Sequence, residues 1–214
     1  SMPLVLRAPD GIIRSAAAQH SQSLEAFFLH IPGIKVVIPS NPADAKGLLK
    51  AASRSEDPVL YFEHKGLFPL KGPVPEGEHI VPIGKAAVSR EGSDVTLVSY
   101  SMMMHRVLEA AEALEKEGIS AEVIDLRTIS PLDMETIYKS VAKTHRLVVV
   151  HEAVRTGGVG AEIAARVAEE MMDDLDAPIR RLGAPFVPVP FSPSLERLVK
   201  ITPEQICQAV REIL

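Results

Sequence analysis

Short runs of Val, Ile and Leu alternate with amphipathic stretches along the whole chain. Leu4–Arg7, Lys35–Pro39 and Pro58–His64 read as strands, being short, continuous and rich in β-branched residues. Between them, Gln22–His30 and Ala43–Ser53 read as helices. The second carries its own start signals: Asn41 can cap, Pro42 suits the first turn, and Asp44 complements the positive end of the helix dipole. Further on the alternation is more regular. Strands Val95–Tyr100, Ala121–Leu126, Leu147–His151 and Pro178–Gly183 precede helices Met104–Glu117, Leu132–Thr144, Ala161–Met172 and, after a Pro-rich loop, Pro203–Ile213. Val107, Leu108, Ala111 and Leu114 fall at helical spacing and predict one buried stripe. This order of elements predicts an α/β protein with mostly parallel sheets, covered on both faces and joined by right-handed crossovers.

Residues 65–93 break the pattern. Gly66, Pro69, Gly72, Pro73, Pro75, Gly77, Pro82 and Gly84 leave no helical period, so this stretch reads as a linker, with Ile83–Ser89 as an entry strand for the next unit. Two α/β units are therefore expected. Hydrophobic residues make up 46% of the 214, but aromatics only 4% with no Trp, so the cores must be aliphatic. A net charge of -5 argues against nucleic acid as the main partner. Cys207 is the single cysteine, so no internal disulfide forms and a reducing compartment is the simpler expectation. No apolar run reaches the roughly 20 residues that span a bilayer, so no membrane partner is expected.

Three features could carry chemistry. Gly157-Gly158-Val159-Gly160 lies between a strand and a helix, either as a backbone cradle for an anion or as a turn where side chains do not fit. The third glycine of a dinucleotide fingerprint is replaced by Ile163, which weakens a nucleotide-binding reading. His20 sits directly before an expected helix start, in Gln19-His20-Ser21-Gln22, where the dipole would favour neutral imidazole; a structural histidine is the alternative. His151-Glu152 ends a strand, where α/β folds gather ligand sites; an interface or solvated pair is the alternative, with at least equal weight. His145 and His151 lack further zinc ligands at suitable spacing. Cys207 shares an apolar helix face with Ile206 and Val210 and reads as a core thiol.

A resemblance adds to this. Arg7-Ala8-Pro9-Asp10-Gly11, Gln19 to Ala26, Pro32 to Ser40, Asp44 to Leu49, Asp57-Pro58-Val59 and Glu63-His64 occur in that order. Pro82 to Ala86, Asp125 to Asp133 and Gly157 to Glu162 follow. Together they resemble the β subunit of the thiamine-diphosphate-dependent decarboxylating component of 2-oxo acid dehydrogenase complexes. The resemblance implies a partial pyrimidine-binding-type α/β domain over residues 1–72, a Pro/Gly linker over 73–79 and a transketolase C-terminal-type domain over 80–214. It implies that His20 is the active-site histidine. It also implies a potassium ion on the backbone carbonyls of Ala52, Ser53, Ser55 and Asp57, although Ser55 stands where the family often has an acid.

Thiamine diphosphate with Mg2+ would be shared with an α subunit and not bound tightly by this chain alone, because the family's cofactor-activating glutamate lies upstream of these residues. The other implied partners are a second β subunit and the dihydrolipoamide acyltransferase core. The implied reaction is oxidative decarboxylation with acyl transfer to lipoamide, on pyruvate first, then acetoin or branched-chain oxo acids. The bacterial cytoplasm is the expected compartment ahead of the mitochondrial matrix. A non-catalytic assembly domain, inactive alone, is the alternative. The family's glycine run after the Arg-x-Pro segment is replaced by Ile12-Ile13-Arg14-Ser15, which predicts a different loop path.

Overall fold

A computed structural model describes every residue from 1 to 214. In the first unit, β1 (Val5–Asp10) leads through two short helices, α1 (Ala17–His20) and α2 (Glu25–Leu29), to β2 (Lys35–Val37). Helix α3 (Pro42–Ala52) and strand β3 (Val59–His64) complete it. The start of α3 follows its local signals: Asn41 Oδ1 accepts from the Asp44 N–H at 2.9 Å, with proline in the first turn. Strand β3 is central, and β1 and β2 run parallel to it on either side. Residues 68–86 hold no helix or strand.

The second unit contains β4 (Ala87–Arg90), β5 (Val95–Ser99), α4 (Met102–Glu115), β6 (Ala121–Asp125), β7 (Thr128–Ser130), α5 (Met134–Thr144) and β8 (Leu147–Val154). It continues with α6 (Val159–Glu170), β9 (Arg180–Ala184), α7 (Pro193–Val199) and α8 (Pro203–Arg211). Its sheet has the order β4-β6-β5-β8-β9, with only β4 antiparallel. No helix is long and apolar enough to cross a membrane.

Three elements depart from expectation, the short α1 among them. Helix α7 forms inside the Pro-rich loop, with Pro193 in its first turn, where the ring pre-sets φ. Strand β7 is too short to show a period, and it leaves its own unit's sheet to pair antiparallel with β2. The apolar core follows the same path. Val36, Ile38, Leu60 and Phe62 of the first unit belong to one cluster with Val98, Ile124, Ile129, Val149 and Ile163 of the second. On the opposite face of the second sheet, Val107, Ala111 and Leu114 of α4 pack with Ile206, Cys207 and Val210 of α8. The units are thus fused by a shared core as well as linked.

Candidate functional site

Parallel strands point their C-terminal ends the same way, and here both sheets aim those ends at one another. Asp10 closes β1, His64 closes β3, Tyr100 follows β5, and His151 and Glu152 lie near the end of β8. All five are buried. Glu152 Oε2 accepts from the Ile12 N–H at 2.9 Å and the Ser23 hydroxyl at 3.3 Å, and it meets His64 Nε2 at 2.9 Å. His64 Nδ1 accepts from the Gly66 N–H, so the neutral ring carries its proton on Nε2 and donates it to Glu152. The Tyr100 hydroxyl donates to Glu25 Oε1 at 2.6 Å, and the Tyr100 ring stacks on His151 with centroids 6.4 Å apart.

The His151 Nδ1–H donates to the Ala153 carbonyl at 3.0 Å, leaving the Nε2 lone pair buried without a partner. A Cβ on Gly158 would stand 2.6 Å from this ring, on Gly183 2.8 Å and on Gly160 3.1 Å. The Gly157–Gly160 turn is therefore the wall against which the His151 ring lies, which is the side-chain-excluding reading of that motif.

Burial dominates the electrostatics. It pushes Asp10 well above the usual carboxylate range, and the neighbouring Glu25 and Glu152 charges add to this. Burial also raises Glu25, against the hydrogen bond from Tyr100. It lowers His151 to about 4. The cluster accordingly disfavours charge on these groups. A second polar junction lies at the other end of the unit boundary. Arg127 Nε donates to Asp44 Oδ2 at 3.0 Å, and the Ser40 hydroxyl and the Arg127 N–H both donate to Asp125, which burial raises to about 6.

His20 differs from its expected setting. It ends α1 instead of standing directly before a helix, because Ser21–Leu24 are non-helical and α2 begins at Glu25. Ser21 is fully buried, and tertiary packing overrides the local start signal. The dipole argument therefore does not apply to His20. Its side chain is exposed, and its carbonyl accepts from the Lys65 ammonium. The loop avoids positive φ at Ile12 and Ile13, placing it instead at Gly11, Arg14, Ser15 and Ala17. Ser21, Ser23, Phe27, Glu152, Gly158 and Phe186 contribute to a cleft of about 410 Å³ beside this segment.

Ala52, Ser53, Ser55 and Asp57 lie at and just after the end of α3, the negative end of the helix dipole. The Ala52 carbonyl already accepts from the Ser55 N–H, and the Asp57 carbonyl accepts from the Ser55 hydroxyl. The Lys35 ammonium reaches the same turn, 3.0 Å from Ser55 Oγ and 3.1 Å from Asp57 Oδ2. One side chain, Lys35, thus already places a positive charge at this turn. Asp10, Glu25 and His64 lie in segments that carry the resemblance but had no role assigned to them there, and Tyr100 lies outside those segments; the available signal was a polar residue closing an apolar strand at Asp10 and His64.

Comparison with known proteins agrees with this architecture. Residues 1–71 match the transketolase pyrimidine binding domain and residues 84–206 the transketolase C-terminal domain. The chain is 49% identical to the 2-oxoisovalerate dehydrogenase subunit beta of Bacillus subtilis, over 100% of this chain and 66% of that protein. It is 46% identical to the pyruvate dehydrogenase E1 component subunit beta of Porphyra purpurea, over 100% and 65%. It is 51% identical to the acetoin:2,6-dichlorophenolindophenol oxidoreductase subunit beta of Cupriavidus necator, over 99% and 63%. The chain thus spans 63% to 66% of the length of these relatives. Among solved structures, one described as a split gene transketolase, inactive beta4 tetramer, superimposes with a TM-score of 0.82 at 27% identity, over 98% of this chain and 66% of that one. With one domain model matching each unit, in the order in which the two sheets are built, the chain belongs to the transketolase family.

Proposed function

We propose that this chain is part of the β subunit of the decarboxylating component of a 2-oxo acid dehydrogenase complex, and that His20 is its active-site histidine. The observation that carries the reading is similarity along the entire chain to three β subunits whose names specify a 2-oxo acid dehydrogenase or an acetoin oxidoreductase. In the same reading, residues 1–72 are part of the pyrimidine-binding domain, 73–79 the linker and 80–214 the C-terminal domain.

The exposed His20 imidazole suits a ligand brought by another subunit. It can hydrogen-bond the carboxylate of a 2-oxo acid, or take and return a proton there. Thiamine diphosphate, shared with an α subunit that binds its diphosphate and Mg2+, supplies the carbon nucleophile. A second β subunit and the acyltransferase core are the further proposed partners. A reducing compartment, bacterial cytoplasm or mitochondrial matrix, suits the buried free Cys207. A potassium ion on the turn at Ala52, Ser53, Ser55 and Asp57 is part of the same proposal. It predicts a higher melting temperature in potassium chloride than in choline chloride, and equal melting temperatures would remove the ion.

The test is activity of the β subunit assembled with its α subunit, following dye reduction with pyruvate, 2-oxoisovalerate or acetoin. His20→Ala should cost about 100-fold or more in kcat while leaving the melting temperature unchanged. Full activity in that variant would refute the role of His20. The second reading, an assembly domain without catalysis, is favoured by the neighbour described as an inactive tetramer. It predicts no turnover with any of the three substrates in the assembled protein. Calorimetry with cofactor and Mg2+ separates shared from independent binding: tight binding without an α subunit would refute sharing.

A further inference from the structure

Residues 11–24 connect β1 to α2 and carry His20. Three of them with side chains take left-handed φ: Arg14 at +40°, Ser15 at +57° and Ala17 at +54°. That region crowds Cβ against the backbone, so the segment does not adopt this path from local preference and must be held from outside. The clamp comes from the second unit. Glu152 binds both ends of the segment with one oxygen, accepting from the Ile12 N–H at 2.9 Å and the Ser23 hydroxyl at 3.3 Å. The same oxygen takes the His64 Nε2–H at 2.9 Å. His64 is itself fixed by the Gly66 N–H and by Gly11, whose Cβ, if present, would lie 2.1 Å from its ring. Bonds to a buried carboxylate are stronger than neutral ones, and Glu152 is only 9% exposed. Midway, Glu196 of α7 accepts from the Ser15 N–H at 2.5 Å.

We propose that Glu152 is a positioning residue for His20, fixing from the second unit the segment that presents the imidazole. The proposal rests on the reading of His20 given above. Glu152 makes no bond to the His20 side chain; it acts through the backbone between Ile12 and Ser23. On this view the C-terminal unit is part of the catalytic apparatus as well as a scaffold.

The test uses Glu152→Ala and the near-isosteric Glu152→Gln, which keeps one acceptor oxygen and serves if the alanine variant does not fold. Amide exchange of peptides covering Ile12–Ser23 is measured in the β subunit assembled with its α subunit, with β5 and β8 as internal controls. Kinetics are measured on the same preparations. Exchange in the segment should rise about tenfold in Glu152→Ala while β5 and β8 stay protected. kcat should fall about 30-fold with KM changed less than about threefold, and Glu152→Gln should recover part of the loss. The double variant His20→Ala/Glu152→Ala should be no slower than His20→Ala alone, as for two residues acting through one group. Unchanged exchange, or losses that multiply in the double variant, would overturn the proposal while His20→Ala still reports an active-site histidine. A fully active His20→Ala would overturn the reading of His20 itself and the proposal with it.

Discussion

Replacing His151 with Asn should remove a specific pH dependence from the stability of this protein. The ring is wholly buried, and desolvation lowers it from the ordinary 6.5 to about 4. In the unfolded chain it binds a proton below about pH 6.5, while in the folded chain it stays neutral until about pH 4. The unfolded state therefore holds more protons throughout that window, and stability falls as the pH drops through it. A difference of about 2.5 pH units at 1.36 kcal/mol each amounts to about 3 kcal/mol, most of it lost by pH 4.5. Asp10 and Glu25, which are raised by burial, act with the opposite sign, so the raw pH curve mixes the effects. The informative quantity is the difference between parent and variant. Asn is chosen because its amide N–H can replace the Nδ1–H bond to the Ala153 carbonyl without titrating. Denaturant unfolding midpoints from pH 4.5 to pH 8 give the two curves. The parent should lose about 2 kcal/mol more than the variant between pH 7 and pH 4.5. Parallel curves would show that His151 is not buried neutral, and the packing described around it would be wrong.

Three other substitutions probe the same junctions. Asp125→Asn should stabilise the protein above pH 6 by up to about 3 kcal/mol relative to pH 4. The parent's raised carboxyl contributes stability below the ordinary 3.8 that is lost as the pH rises through about 6; denaturation at both pH values checks this. Gly158→Ala should cost about 1–3 kcal/mol, because its Cβ meets His151 Cε1 at 2.6 Å and the Val154 carbonyl at 2.9 Å. Combined with His151→Asn, that loss should shrink in thermal melts. Tyr100→Phe leaves the fully buried Glu25 without its donor and should cost about 1–3 kcal/mol. Removing the bond raises Glu25 further, so this deficit should be larger at pH 8 than at pH 5.

The parts legible in the sequence were those written locally. Asn41, Pro42 and Asp44 announce α3 because cap, proline and acid act within one turn. Val107, Ala111, Leu114 and Cys207 read correctly as core residues because they sit on apolar helix faces. Ser21-Gln22-Ser23 imitates a helix start, yet Ser21 is fully buried and α2 begins later. The His64–Glu152 pair joins strand ends far apart in the chain, and no local spacing encodes it. Lys35 likewise reaches the Ser55–Asp57 turn only through the parallel pairing of β2 with β3. His20 was singled out by resemblance rather than by its surroundings, and its surroundings then showed which groups hold its segment.

Strand β7 has a consequence for how the chain can fold. Because Thr128–Ser130 supplies the outer neighbour of β2, the first sheet cannot be finished until residues deep in the second unit are available. During synthesis the edge of β2 stays unpaired across the whole linker and the first strands of the next sheet, a period in which it can pair wrongly. Cutting at the linker would leave that edge permanently bare. Heating should accordingly melt both units in one cooperative transition, and neither half should be recoverable as an independent folding unit.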